Sequence, residues 1–150
     1  MHACGRDRRR GQAEREVIPV DDSFETDACG FPVAVQLTGT IIRTTRTRED
    51  GSMRIHESYP TYRATLTNIS TGEMISVGIP GPAKIEVAPD GSSTLTGTGP
   101  WAFFDSNPET GEPGIFVTRG RFVAAFDADG NLVSFSLVGT IKDKCAQLAS

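Results

Sequence analysis

From Phe31 almost to the end the chain is patterned, and inside most of its segments apolar and polar residues alternate. Val33, Val35, Leu37 and Ile41 share one phase against Gln36, Thr38 and Thr40. Near the C-terminus Val133, Phe135, Leu137 and Ile141 oppose Ser134, Ser136 and Thr140. A period of two puts alternate side chains on opposite faces of a strand, so the pattern predicts sheets with one buried and one wetted face. No stretch shows the 3.6-residue period of an amphipathic helix, although the tail after Cys145 has room for one turn.

Turn signals cut this pattern into strands. Asp50-Gly51, Thr71-Gly72, Asp90-Gly91 and Asp129-Gly130 separate runs rich in Val, Ile, Thr and Phe, and Asp-Gly in such a place predicts a type I′ hairpin. A fifth, longer connection runs from Asp105 to Pro113. Five connections give six strands, near residues 32–46, 53–67, 74–88, 92–104, 114–127 and 131–142. Such strands are long against the usual five or six residues and must bend. Five contain an interior glycine (Gly39, Gly78, Gly97, Gly120, Gly139). The other contains Pro60, where the apolar phase slips from Met53-Ile55-Tyr59 to Tyr62-Ala64-Leu66 as it does at a bulge. Pro80-Gly81-Pro82 breaks the third strand, so splitting kinked strands raises the count to eight. The expected fold is all-β: an antiparallel meander of six long bent strands closed into a small barrel.

Composition adds a boundary at residue 20. Residues 1–16 hold five arginines against three acids, without apolar periodicity, so 1–20 reads as a disordered basic arm and 21–150 as one barrel domain. The whole chain carries a net charge of −4, which is not a nucleic-acid footprint. No apolar run is long enough to insert into a membrane, and the basic N-terminus is not followed by the apolar segment of a signal peptide. Cys29 precedes the first predicted strand and Cys145 follows the last. In a closed even-stranded meander these ends are neighbours, and a Cys29–Cys145 disulfide would staple the seam. The alternative is two unlinked buried thiols. Cys4 is left over in the arm.

Candidate chemistry is sparse. With two histidines and no cysteine pair at zinc spacing, no metal site is expected, and no cofactor motif is present. The run Asp127-Ala128-Asp129-Gly130-Asn131 begins like a calcium loop. It has Leu132 where that loop needs glycine and Val138 where it needs a carboxylate, so it reads as a hairpin turn. Asn68-Ile69-Ser70 is a glycosylation sequon in a turn. One residue violates its own pattern: Glu57 falls in phase with Met53, Ile55 and Tyr59 on the buried face. A buried carboxylate cannot stay charged and alone, so Glu57 either carries a proton or meets a partner. Arg63, Arg119 and a tyrosine hydroxyl are the candidates. Glu57 is therefore the candidate catalytic group, with Tyr59, Tyr62, Trp101 and Arg119 as candidate ligand-binding residues.

Short words in fixed order suggest a relationship. Asp27-Ala28-Cys29-Gly30-Phe31-Pro32, Leu66-Thr67-Asn68 with Thr71-Gly72, Asp90-Gly91-Ser92, Gly97-Thr98-Gly99-Pro100, Thr118-Arg119-Gly120-Arg121 and Cys145 carry it. Between Val17 and Cys145 the chain resembles a family of small secreted β proteins of unknown function, frequent in actinobacteria. That resemblance implies an extracellular location and the Cys29–Cys145 bridge, and it brings no activity. In architecture the pattern is similar to allene-oxide-cyclase-like barrels and to lipocalins, whose G-x-W word occurs here as Gly99-Pro100-Trp101, though on the fourth strand rather than the first. Three functions fit: a secreted binding module for a small apolar ligand, a structural module with a filled interior, and a cofactor-independent cyclase or isomerase using Glu57.

Overall fold

The structure, a computed structural model, describes residues 13–149. Ten strands form one antiparallel sheet: β1 (Glu14–Thr26), β2 (Val33–Thr47), β3 (Met53–Ser58), β4 (Arg63–Asn68), β5 (Met74–Gly78), β6 (Ala83–Val87), β7 (Ser93–Thr98), β8 (Trp101–Phe103), β9 (Phe116–Phe126) and β10 (Leu132–Asp143). One helical turn, α1 (Cys145–Ala149), follows. The short strands are halves of broken long ones. β3 and β4 lie end to end along one edge of β2, opposite Ile42–Thr47 and Val33–Thr38 respectively, and β7 and β8 do the same along β9. The pairing is a meander of seven long strands, with β1 on the remaining edge of β2 and β10 on that of β9.

Two expectations change here. The sheet is open: among the described residues no ladder joins β10 to β1 or to β5. The edge of β2 that closure would use is covered by β1, which pairs along its whole length from Glu14↔Thr45 to Thr26↔Val33. Residues 14–20, assigned from sequence to the arm, are therefore strand, and the rest of that assignment, with Cys4, lies outside the described residues. Acids and Pro19 hide the strand in the sequence. Both suit an edge: a missing N–H costs nothing there, and charge discourages pairing with a further chain.

The hairpins fall where the turn signals place them, but by another geometry. In three of them only the glycine has positive φ (Gly51 89°, Gly91 93°, Gly130 86°). Gly51 N–H donates to Arg48 O, while Arg48 N–H donates to Ser52 O, a type I turn followed by a glycine bulge. The aspartate need not go left-handed because its carboxylate is spent elsewhere. Asp50 Oδ1 accepts from Ser52 N (2.8 Å) and Ser52 Oγ (2.6 Å), and Asp90 repeats the arrangement with Ser92.

The breaks line up. Gly39 in β2, Tyr59–Tyr62 between β3 and β4, Ile79–Pro82 between β5 and β6, Gly99-Pro100 between β7 and β8, and the opposed pair Gly120↔Gly139 recur at near-equal spacing, so they form one crease across the sheet. At Gly39 a Cβ would come within 2.7 Å of Tyr62 Cα, which is why the corner needs glycine. Beyond the crease β5 pairs only with β4, and the sheet forks away from β8. The fork is filled by the core: Val33, Val35, Ala64, Leu66, Ile79, Ile115 and Leu148, with Ala102 and Phe104 against them. Leu148 brings α1 into this core. Asn68 Nδ2 donates to Leu148 O (2.9 Å), so the nitrogen that glycosylation would modify is buried and engaged. Cys29 and Cys145 stand at disulfide distance, Cα atoms 5.3 Å apart, tying the β1–β2 loop to α1. No helix among the described residues is long and apolar enough to cross a membrane.

Candidate functional site

At the crease the inner face opens into a pocket of about 240 Å3, lined by Ile41, Arg43, Glu57, Tyr59, Tyr62, Ile79, Gly81, Trp101, Ala102 and Phe104. It follows from the register. One row of inward residues crosses the sheet as Glu16, Arg43, Glu57, Ala83, Gly97, Phe122 and Leu137. Large side chains at both ends and the small pair Ala83 and Gly97 in the middle leave a trough. Trp101 folds into it from beyond the crease.

Trp101 fits because two neighbours lack side chains. A Cβ on Gly81 would sit 2.6 Å from its Cδ1, and one on Gly97 would sit 3.0 Å from its Nε1. The indole packs edge-on with Tyr59 (5.5 Å) and Phe122 (5.3 Å), and Tyr59 continues to Tyr62 (5.4 Å). Its buried Nε1 has no hydrogen-bond partner among the described residues. Tyr59 and Tyr62 reach the same side because Thr61 between them takes φ 60°, a conformation that is rare for a β-branched residue and marks stored strain.

Glu57 points inward, as the alternation of β3 requires, and is 8% exposed. Its partners are Arg43 and Tyr59. Arg43 lies directly opposite on β2 and donates Nε–H to Oε2 at 2.6 Å; the Tyr59 hydroxyl donates to Oε1 at 2.7 Å. The Arg43 side chain keeps 37% of its surface exposed, so the pair sits at the pocket rim with its carboxylate on the protein side. The hydrogen bond to Glu57 holds the Arg43 guanidinium above its ordinary range, more than burial lowers it. Burial, then the bond to Glu57, push the Tyr59 hydroxyl far above its ordinary range, and burial with the charges of Asp22 and Glu57 raises Tyr62. Both phenols are neutral donors near neutral pH. Among the described residues no group of three or more His, Cys, Asp or Glu is placed to hold a metal ion.

The structure thus brings together Glu57, Tyr59, Tyr62 and Trp101. It does not bring Arg119, which is exposed on β9 opposite Thr140. The phase of β9 is lost at Gly120, and that glycine is a crease residue. Arg63 is also elsewhere: its guanidinium meets Ser76 on the outer face. Arg43 had a readable signal. It continues the inward phase of Val35, Leu37, Gly39 and Ile41, so it breaks its strand's pattern as Glu57 breaks the pattern of the next. Two opposite charges out of phase on adjacent strands identify each other. Compared with family models, with curated proteins and with solved structures, the chain gives no match.

Proposed function

We propose that this domain is a binding module for a small, flat, mainly apolar ligand carrying one neutral hydrogen-bond acceptor such as a carbonyl. The observation that carries the reading is a pocket of about 240 Å3 with aromatic and aliphatic walls and a few convergent polar groups at one end. Among the described residues the lining groups without a hydrogen-bond partner include the donors Arg43 Nη and the Tyr62 hydroxyl. They favour an acceptor. The local charge disfavours an anion, because Arg43 is flanked in its row by both Glu16 and Glu57 and Asp22 acts on Tyr62.

Turnover by a cyclase or isomerase is the second reading, favoured by one inward carboxylate beside a tyrosine. It is the weaker one, since Arg43 and Tyr59 each engage one oxygen of Glu57 and hold the carboxylate on the protein side of the pocket. A purely structural role leaves the pocket unexplained. The cysteine pair is compatible with an oxidising, extracellular setting, and the resemblance to small secreted proteins points the same way.

The sequence's single tryptophan lies in the pocket wall, so its emission reports occupancy. Titration with 2-acetylnaphthalene should give a saturable change that Ala102→Phe, which fills the pocket, removes while the circular dichroism spectrum persists. An equal response in Ala102→Phe, or no saturable response to any neutral, acidic or amine-bearing naphthalene, would end the proposal.

A further inference from the structure

The four strands that carry the inward row from Glu57 to Phe122 bear a second cluster on their other face. Alternation puts His56 behind Glu57, Lys84 behind Ala83, Thr96 and Thr98 on either side of Gly97, and Arg121 behind Phe122. These residues line a shallow depression of about 320 Å3 with Pro82 in its wall. It is distinct from the aromatic pocket, from which the sheet itself separates it.

Its chemistry is one-sided. His56 and Lys84 are directly opposed across β3 and β6, Lys84 faces Thr96 across β6 and β7, and Thr98 faces Arg121 across β7 and β9. The depression therefore has two threonine hydroxyls on its central strand and a cation on each flank. His56, Lys84 and Arg121 are exposed, and none has a hydrogen-bond or ion-pair partner among the described residues. The carboxylate on the same face of β6, Glu86, is already held by Arg54 (2.7 Å) and Arg48 (3.6 Å). Like charges side by side on a sheet are mildly destabilising. Here, in a chain of net charge −4, unpaired cations gather over a depression with no acid in its lining.

The geometry points to a binding site for a small phosphate-type oxyanion, seated over β7. Lys84 and Arg121 stand two strand spacings apart and two residues out of register, roughly 12 Å between backbones. Their long side chains close that span from both sides. Arg121 supplies a planar fork for two anionic oxygens, Lys84 a point charge, and the threonine hydroxyls donate from below. His56, beyond Lys84, extends the site toward a second charged group, which suits a diphosphate or a phosphate ester better than a monovalent ion.

The probe is inorganic pyrophosphate, titrated calorimetrically into the full oxidised chain at low ionic strength, with nuclear magnetic resonance shifts read in parallel. Saturable one-to-one binding is expected, with shifts centred on His56, Lys84, Thr96, Thr98 and Arg121. R121Q should weaken it about tenfold, and K84Q/R121Q should remove it. R63Q, which removes an outer-face cation on β4, should leave it unchanged. These exposed substitutions spare the core, and the Trp101 emission checks that the fold persists. Non-saturable binding, or equal weakening by R63Q, would show a general charge effect and overturn the site. Binding to phosphatidic acid vesicles without binding of pyrophosphate would overturn it too, by assigning the face to a lipid surface. Since the pocket variant Ala102→Phe should bind pyrophosphate normally, failure here and failure of the aromatic pocket are separable.

Discussion

Gly97 is a position where one added methyl group should be costly. Its φ is ordinary, so the demand for glycine comes from space alone. A Cβ there would meet Cε1 of Phe122, stand 2.5 Å from its Cζ and 3.0 Å from Trp101 Nε1. Carbon atoms rest comfortably about 3.5–4.0 Å apart, so roughly 1 Å must be found. The ring cannot retreat easily. Phe122 is 1% exposed, stacks on Phe135 at 5.4 Å and meets Phe103 edge-on at 5.8 Å. Overpacking of this kind costs about 1–3 kcal/mol. For a chain of this size each kcal/mol lowers the Tm by about 2–4 °C, so Gly97→Ala should lose about 2–12 °C. Thermal and urea unfolding would be followed by circular dichroism and by Trp101 emission, whose agreement tests for a two-state transition. Phe122→Leu removes the atoms in the way. In that background Gly97→Ala should cost at least about 0.5 kcal/mol less than in the parent, the mark of coupled neighbours. A Gly97→Ala protein within about 0.5 kcal/mol of the parent, or strict additivity with Phe122→Leu, would refute the packing argument.

Other outcomes follow from the same geometry. Replacing Cys29 and Cys145 by serine should cost up to about 4–5 kcal/mol by loop entropy, since the bridge spans a sequence separation of 116; equal urea midpoints for the oxidised protein and the double mutant would contradict it. Asn68→Ala leaves the buried Leu148 carbonyl without its donor and should cost about 1–3 kcal/mol, with amide exchange in α1 rising first. Tyr59 and Tyr62 are the chain's two tyrosines, and both are raised above their ordinary value of 10.0. Stability from a raised folded-state value is fully present below the unfolded pKa and fades as pH climbs from about 10 toward the folded value. Phenolate absorbance should therefore appear at higher pH in the native than in the urea-unfolded protein, and coincident curves would exclude buried phenols. Glu57→Gln unbinds the charge of Arg43 from its partner, so the pocket should turn toward 2-naphthoate and away from 2-acetylnaphthalene; an unchanged preference would show that Glu57 does not set ligand charge.

What the sequence reveals and what it conceals divide along a physical line. Alternation fixes which way a side chain points, so the inward direction of Glu57 and the shared side of Tyr59 and Tyr62 across the slip at Pro60 were legible. Turns are local, and the glycine positions marked all four short hairpins, although the aspartate hydrogen bonds that select a glycine bulge over a type I′ turn were not visible. Pairing is not local. Nothing in the pattern of β2 says that its outer edge is taken by a strand rich in acids, and closure depended on that edge. The outward direction of Arg119 is hidden because Gly120 sits on the crease, where phase resets. Arg43 is hard to read because the apolar members of its strand define the phase and the charge that follows them lies past the glycine at the crease.

The topology also sets an order of events. In a meander each strand's partner comes next along the chain, or one hairpin away as for β3 and β6, so the sheet can be laid down pair by pair at small loop-closure cost. A long reach joins Cys29 and Asn68 to α1, across most of the chain. That contact can form only when β9 and β10 have carried the C-terminus back over the fork. Docking of Leu148 and oxidation of the cysteines are thereby placed last. The covalent bond acts as a latch on a sheet already assembled, and a chain kept reduced would still fold its hairpins while leaving the core at the fork uncovered.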